Sequence, residues 1–95
     1  MSGYLIVQVQ VTDPEQYKQY TAVTPGVVAR FGGRFLVRGG PVTELEGRHD
    51  GRRVVVLEFP SVEQAVAFWN SPEYAEAKKL RADAAVMTSI ALAGV

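Results

Sequence analysis

The sequence has no cysteine and only one histidine among its 95 residues. Without cysteine the chain forms no disulfide, offers no thiolate nucleophile and holds no cysteine-ligated metal, which fits a reducing compartment. A lone histidine without a spaced cluster of carboxylates does not make a dedicated metal site. We therefore expect no bound metal.

The sequence also lacks an excess of charge and a long hydrophobic run. Ten Lys and Arg residues balance ten Asp and Glu residues, so no overall field attracts nucleic acid or an anionic membrane. The N-terminal MSGYLIVQVQV reaches polar Gln8 too early for a membrane span and lacks the basic segment of a signal peptide. We expect a soluble, cytoplasmic protein without nucleic-acid or membrane partners.

The composition that is present is that of a globular domain. Hydrophobic residues make up 47% of the chain and charged residues 21%, and a chain of this length forms one small core. The prediction is a single domain over residues 1–95.

The first third predicts a strand followed by a helix. Alternating apolar residues from Tyr4 to Val11 indicate the strand, and Asp13-Pro14 carries the signals of a helix start. Thr24-Pro25 interrupts the helical pattern, so we expect a kink or a restart with Thr24 as the second cap. Gly32-Gly33 then ends the helix.

The segment FGGRFLVRGG has glycine pairs on both sides of a short apolar run. It lacks the spacing of a phosphate loop, and its glycines follow a helix and precede a strand, which is the reverse of the order in phosphate sites. The glycines are therefore predicted to stop the helix and to bend or bulge the strand, and no cofactor is expected. Arg34 and Arg38 are four apart on this strand, so they should point to one face.

The middle of the chain predicts an antiparallel hairpin. Residues Val42 to Glu46 should continue the strand after the bend at Gly39-Gly40-Pro41. The Asp50-Gly51 pair suits a tight turn into a further strand from Arg53 to Phe59. The two strands should therefore be adjacent.

Two serines mark the helices of the second half. Ser61 and Ser71 are expected as N-caps of two helical pieces rather than as nucleophiles, and Val86 to Ala93 is the last predicted strand. The order strand, helix, strand, strand, helix, strand predicts an α+β, ferredoxin-like βαββαβ fold. It has a four-stranded antiparallel sheet with helices on one face.

The face of the sheet opposite the helices is predicted to be apolar rather than polar. The residues expected there are Ile6, Val54, Val56, Met87 and Ala91. An exposed apolar patch of several hundred Å² usually marks an interaction surface. We expect a homodimer packed sheet face to sheet face, a dimeric α/β barrel; the alternative is a monomer with a solvated face.

Three segments resemble one family over nearly the whole chain. They are GGRFLVRGG, DPEQYKQY and RRVVVLEFPSVEQAVAFWNSPEYAEAKKLR, within which EFPS and NSPEY are the most specific. Together they resemble the family called domain of unknown function 1330. The resemblance implies a ferredoxin-like dimeric α/β barrel and no particular reaction.

Glu58 and His49 are the candidate catalytic residues. Glu58 shares a face with Val54 and Val56, so it should look into the dimer cleft, where a raised pKa would make it a general base. The alternative is an ion pair with an arginine across the sheet. His49 is expected at the hairpin tip, either as an exposed turn residue or as a catalytic group over the partner's cleft.

Four further residues are candidates for ligand binding. Arg38 would hold an anionic group, and Trp69 and Tyr74 flank the Ser71-Pro72 break, where irregular backbone beside aromatic rings suits a pocket wall. Arg81 is either a solvated charge or the anion-binding end of that pocket.

Two functions are compatible with these residues. One is a cofactor-independent enzyme that acts on a small anionic or aromatic molecule in the barrel cleft, by analogy with other proteins of this fold. The other is a noncatalytic small-ligand-binding or assembly dimer. Polar groups converging on a void would favour a site, and the interior residues to inspect are Gln8, Gln10, Thr88 and Ser89.

Overall fold

A four-stranded antiparallel sheet carries three helices on one face in the computed structural model, which describes residues 1–95. The elements in chain order are β1 (Gly3–Val11), α1 (Pro14–Arg30), β2 (Arg34–Arg38), β3 (Arg53–Phe59), α2 (Val62–Trp69), α3 (Pro72–Lys79) and β4 (Ala85–Ala93). The sheet order is β2-β3-β1-β4. The ferredoxin-like α+β fold is thus confirmed. No helix is both long enough and apolar enough to cross a membrane.

Each helix begins at the predicted capping residue. The side chains of Asp13, Ser61 and Ser71 accept hydrogen bonds from the backbone N–H three residues later, at 3.2, 3.1 and 3.0 Å. These bonds satisfy amides that have no partner inside the helix. The two serines therefore act as caps, as expected.

Pro25 lies inside an uninterrupted α1 of 17 residues. The predicted restart at Thr24 is wrong, because the Thr24 hydroxyl instead donates to the Tyr20 carbonyl one turn earlier at 2.5 Å. Proline has no N–H, so the carbonyl four residues before it, that of Thr21, has no helical partner. This carbonyl becomes available to a side chain from the sheet.

The first glycine pair ends α1 in the predicted way. Gly32 has φ of 76°, in the left-handed region that glycine enters freely. Its N–H donates to Ala29 at 3.0 Å and the Gly33 N–H donates to Val28 at 3.0 Å, which is the Schellman arrangement of a helix end.

A bulge in β2 places its two arginines on opposite faces. Arg34 is paired with Glu58 and Arg38 with Val55, and the register shifts by one residue at Leu36. The extra residue breaks the two-residue alternation of side chains. Arg34 therefore lies on the face away from the helices and Arg38 on the face towards them, so the prediction of a common face is wrong.

Residues 39–52 form an irregular connection rather than a continued strand. The predicted strand from Val42 to Glu46 is wrong, because Arg38 already pairs with Val55 and β3 begins only two residues earlier, at Arg53. No partner strand remains for residues 42–46. The predicted antiparallel pairing of β2 with β3 is confirmed.

The core lies between the sheet and the helices, and the other face of the sheet, here the open face, is uncovered by this chain. Met87 and Ala91 were expected on the open face, but they pair with Val9 and Leu5, which are buried under the helices. Side chains of paired residues share a face. The apolar residues that β4 contributes to the open face are instead Val86, Ile90 and Leu92, all exposed.

Candidate functional site

A cavity of about 40 Å³ lies between the helices and the sheet. Eleven of its fifteen lining residues are hydrophobic. This volume is room for a few water molecules. The cavity is therefore on the covered face of the sheet, whereas the sequence pointed to a cleft on the open face.

Aromatic rings form the helix side of the cavity wall. Trp69 is the last residue of α2 and Tyr74 lies in the first turn of α3, so the break between the helices brings their ring centroids to 4.8 Å. The Phe68 ring lies 4.7 Å from that of Tyr74. The structure places both predicted wall residues, Trp69 and Tyr74, on the cavity.

Two arginines, Arg38 and Arg53, reach the cavity from the strands and are called here the strand-side arginines. The Arg38 guanidinium stacks 4.4 Å from the centroid of Phe35 and donates to the Thr21 carbonyl at 3.5 Å. That carbonyl is the one that the proline of α1 leaves free. Arg38 thus bridges β2 and α1 beside the cavity.

Arg53 is packed over Gly39 and is partly unsatisfied. A Cβ at Gly39 would lie 2.6 Å from the Arg53 guanidinium carbon, and Gly39 has φ of 74°. Arg53 Nη2 donates to the Arg38 carbonyl at 3.4 Å, while its Nε is buried with no hydrogen-bond partner in the chain. A buried donor of this kind is unusual in a folded protein.

A pair of tyrosine hydroxyls, Tyr20 and Tyr74, forms the helix-side polar group of the cavity. Their oxygens are 2.7 Å apart and buried. Arg81 Nη2 donates to the Tyr74 oxygen at 3.5 Å, and the Arg81 guanidinium lies 5.5 Å from the centroid of Tyr20. Arg81 is therefore a half-buried member of this group and not a solvated charge.

Tyr17 and Tyr20 are neutral hydroxyls at neutral pH. Burial raises the pKa of Tyr20 well above its ordinary value of 10.0, and Tyr74 raises it further. Burial and then Tyr20 raise the pKa of Tyr17, while Arg53, Arg81 and Arg38 act to lower it. Because no Asp or Glu lines the cavity, this region has a surplus of positive charge and of hydrogen-bond donors.

Glu58 lies on the open face, away from the cavity. Its carboxylate accepts hydrogen bonds from Arg34 Nε at 2.8 Å and from the Tyr4 hydroxyl at 3.0 Å, and Arg34 Nη2 is 2.7 Å away. The hydrogen bond from Arg34, followed by those from Ser2 and Tyr4, lowers the pKa of Glu58. Of the two alternatives for Glu58, the structure therefore contains the ion pair with an arginine across the sheet, and the pKa is lowered rather than raised.

His49 lies in the irregular connection and not at the tip of a tight hairpin. Its Nε2–H donates to the Arg52 carbonyl at 2.7 Å, and its backbone N–H donates to a Glu44 carboxylate oxygen at 2.6 Å. It does not line the cavity.

Three of the polar residues to inspect, Gln8, Thr88 and Ser89, line an open depression of about 180 Å³, and Gln10 lines a separate one. Arg52 donates to the Thr88 hydroxyl at 3.0 Å and to the Gln8 side-chain carbonyl, so these groups satisfy one another. Gln10 is exposed, and Ser89 pairs with Val7 and so lies on the covered face. No three His, Cys, Asp or Glu side chains lie close enough to hold a metal ion.

Arg53 is the cavity residue that sequence reasoning missed. It has the same parity on β3 as the buried Val55 and Leu57, and a charged residue on a buried parity is a signal of a site. The Thr21 carbonyl was also missed, although a proline four residues later indicates it.

The fold and the cavity define a ferredoxin-like α+β protein with a mainly apolar cavity, bordered by two arginines, between its helices and its sheet. Residues 2–95 match the model of the family described as Domain of unknown function (DUF1330), so the chain belongs to that family. No curated protein matches the sequence.

Three solved structures resemble the fold closely. RPA0582, a protein of unknown function from Rhodopseudomonas palustris, is 27% identical, with a TM-score of 0.75 over 99% of this chain and 82% of that one. SnoaB, a cofactor-independent oxygenase from Streptomyces nogalater, is 12% identical, with a TM-score of 0.62 over 99% and 93% of the two chains. A dimeric ferredoxin-like protein of unknown function from Jannaschia sp. CCS1 is 15% identical, with a TM-score of 0.62 over 95% and 98%.

Proposed function

We propose that the cavity binds a small organic anion with an apolar or aromatic body, on which the protein acts as a cofactor-independent enzyme. The observation that carries the proposal is that two arginines line a mainly hydrophobic cavity that contains no carboxylate. Arginine pairs readily with carboxylates, and a guanidinium without a carboxylate partner in the protein is available to bind one from a ligand.

The size of the cavity favours a compact ligand. Its 40 Å³ is smaller than the roughly 150 Å³ of an apolar cavity that admits benzene. An aromatic ring therefore requires Arg38, which is exposed and has one long hydrogen bond at 3.5 Å, to move aside. A short-chain carboxylate needs less movement.

Trp69 provides the test of binding, because it is the only tryptophan and lies on the cavity wall. Its fluorescence is followed during titration with pentanoate and benzoate and with the neutral amides of both acids. We expect both acids to bind at least about tenfold more tightly than their amides, as a charge-assisted bond predicts. Equal affinity of acids and amides, or no binding of either, would contradict the proposal.

A matched pair of variants locates the anion-binding group. Arg38→Met and Arg34→Met remove the same side chain from one strand, but only Arg38 faces the cavity. We expect Arg38→Met to weaken pentanoate binding by about 10- to 100-fold, and Arg34→Met to leave it within about twofold. Equal effects of the two changes would remove Arg38 from the site.

Catalysis is supported by analogy and by the available chemistry. SnoaB, with the same fold, is a cofactor-independent oxygenase, although fold alone does not determine a reaction. The cavity supplies hydroxyl and guanidinium donors, which stabilise negative charge that develops on a bound substrate. The alternative is noncatalytic binding.

The test of catalysis uses ligands that bind. Each ligand is incubated with the protein under air, in a buffer that contains a metal chelator. The mixture is then analysed by mass spectrometry. Conversion that Arg38→Met slows supports an enzyme. Recovery of every bound ligand unchanged favours the noncatalytic alternative.

We also propose that two copies pair through their open faces. The molecule is a slab 33 by 31 by 16 Å, so this face offers on the order of 1,000 Å², against roughly 800 Å² per partner in a standard interface. Val86, Ile90 and Leu92 are exposed on it. The Jannaschia protein of the same fold is dimeric.

Sedimentation velocity tests this pairing with two charge insertions. Ile90→Lys places a charge on the open face, and Val23→Lys places one on an exposed apolar position of α1. We expect wild type and Val23→Lys to sediment as dimers and Ile90→Lys as a folded monomer, because burying an unpaired charge opposes association. A monomeric wild type would contradict the pairing.

A further inference from the structure

The helix-side group of Tyr20, Tyr74 and Arg81 has more hydrogen-bond donors than the chain has acceptors for them. Each tyrosine hydroxyl carries one proton, and the bond between the two oxygens uses one of these protons. Arg81 donates to the Tyr74 oxygen, which adds a donor and no acceptor. Whichever hydroxyl donates to the other, the remaining hydroxyl proton has no acceptor in the chain.

The Arg81 Nε–H adds a second unsatisfied donor. It is buried and has no hydrogen-bond partner in the chain. Buried polar groups are normally paired, so an unpaired one indicates a water, an ion or a ligand that completes the site. No carboxylate lines the cavity to accept these protons.

The helix-side tyrosines and the strand-side arginines border the same cavity. Arg38 and Arg53 line the same cavity as Tyr74, whereas Arg81 does not line it and lies behind the tyrosines, 5.5 Å from the centroid of Tyr20. Tyr17 and Tyr20 both line the cavity. One small ligand therefore has access to cationic groups on the strand side and to hydroxyl donors on the helix side.

We infer that the ligand is an oxo acid, whose carboxylate is bound by Arg38 and Arg53 and whose carbonyl oxygen accepts a hydrogen bond from the Tyr20–Tyr74 pair. The inference rests on the proposed binding of a small organic anion. A carbonyl oxygen only accepts, which matches a group with surplus donors. A hydroxy acid is a poorer match, because its hydroxyl also accepts hydrogen bonds but brings a further proton that needs an acceptor.

The test compares five-carbon acids that differ in whether the carbon chain carries no further oxygen, an oxo group or a hydroxyl group. Trp69 fluorescence is titrated with pentanoate, 2-oxopentanoate, 4-oxopentanoate and 4-hydroxypentanoate. We expect at least one oxo acid to bind about tenfold more tightly than both pentanoate and the hydroxy acid. Oxo acids that bind no better than pentanoate would overturn the inference, with water then satisfying the donors, and leave the proposed function intact. Failure of every acid to bind would overturn both.

Variants show whether the helix-side group is responsible. Either single change to Phe leaves one hydroxyl proton without an acceptor, so the informative variant is the double change Tyr20→Phe/Tyr74→Phe. Lys79→Met, at an exposed position of α3, is the control. We expect the double variant to lose the preference for the oxo acid over pentanoate and Lys79→Met to keep it. A preference that survives in the double variant would overturn the assignment.

A spectroscopic measurement separates binding from structural support. The infrared carbonyl stretch of the bound, ¹³C-labelled oxo acid should move to lower frequency than in water, because several donors polarise the bond. The double variant Tyr20→Phe/Tyr74→Phe should reverse most of this shift. An unshifted band in the wild-type complex would show that the carbonyl does not contact these donors.

Discussion

The arginines on the two faces of the sheet have different partners. On the open face, Arg34 meets the Glu58 carboxylate at 2.7 Å and Arg52 meets that of Asp50 at 2.7 Å. On the covered face, Arg38 and Arg53 border a cavity without any carboxylate. Exposed ion pairs contribute little to stability and neutralise the charges involved. Cationic groups without a carboxylate partner beside an apolar space are those available to a ligand.

One extra residue in β2 creates this difference. Without the bulge at Leu36, Arg38 would follow Arg34 onto the open face. The bulge turns Arg38 towards α1, where the Thr21 carbonyl accepts from it. The position of Arg38 beside the cavity thus depends on a backbone irregularity and on a helix proline together.

The largest expected effect tests which face carries the stability of the single chain. Phe68→Ala removes a ring that is 2% exposed in the core, and should lower the free energy of unfolding by about 3–5 kcal/mol. Val86→Ala, at an open-face side chain 66% exposed, should change it by at most about 0.5 kcal/mol.

Chemical denaturation at low protein concentration, where a dimer dissociates, is the measurement. A cost for Val86→Ala approaching that for Phe68→Ala would mean that the open face is packed within the folded unit. The comparison between a covered and an uncovered face would then fail.

The next effect concerns the helix proline. Pro25→Ala supplies an N–H to the Thr21 carbonyl, and should raise the free energy of unfolding by about 1–3 kcal/mol, since proline in a helix interior is costly. The same bond competes with Arg38 for the carbonyl, so Arg38 should become more mobile.

Denaturation curves and ¹⁵N relaxation of the Arg38 side chain measure both consequences. Ala29→Ser, at an exposed position of α1, serves as the control for a general effect on the helix. A destabilised Pro25→Ala protein would show that the proline does not interrupt the hydrogen bonding of α1.

Elements whose signals are local were predictable from the sequence. Three helix caps, the glycine end of α1 and the alternation in β1 each depend on residues within one or two turns. These signals were sufficient for the order of elements and hence for the fold.

Features that depend on register were not predictable. The bulge at Leu36 and the face occupied by Met87 are decided by pairing with residues distant in sequence, and a shift of one residue reverses every side chain. Trp69 and Tyr74 were predicted to form a pocket wall because a helix break is a local signal. Glu58 was predicted to face a cleft between two subunits on the open face, and the cavity within the single chain lies on the other face.

A smaller effect of pH sharpens the contrast on the covered face. Burial and Tyr74 raise the pKa of Tyr20 in the folded protein. In the unfolded chain Tyr20 loses its proton above its ordinary pKa of 10.0, while the folded protein still holds that proton. The contribution is complete below that pH and declines as pH rises towards the raised pKa. We expect the stability of wild type to fall more steeply above pH 10 than that of Tyr20→Phe, in urea titrations at several pH values; parallel curves would contradict this.

The smallest effect belongs to the open face and has the opposite sign. Arg34, with Ser2 and Tyr4, lowers the pKa of Glu58 below its ordinary 4.5, so the ion pair contributes above that pH and is lost as pH falls towards the lowered pKa. Glu58→Gln removes the pH dependence that comes from this ion pair, so the stability of the variant should fall less than that of wild type on acidification. Glu46→Gln, which breaks no ion pair, should follow wild type. Urea titrations from neutral pH into the acid range measure the difference.

The same variant tests the division of roles between the two faces. If Glu58→Gln leaves ligand binding unchanged, the open face supports the fold and the covered face binds the ligand. A loss of binding in Glu58→Gln would contradict that division.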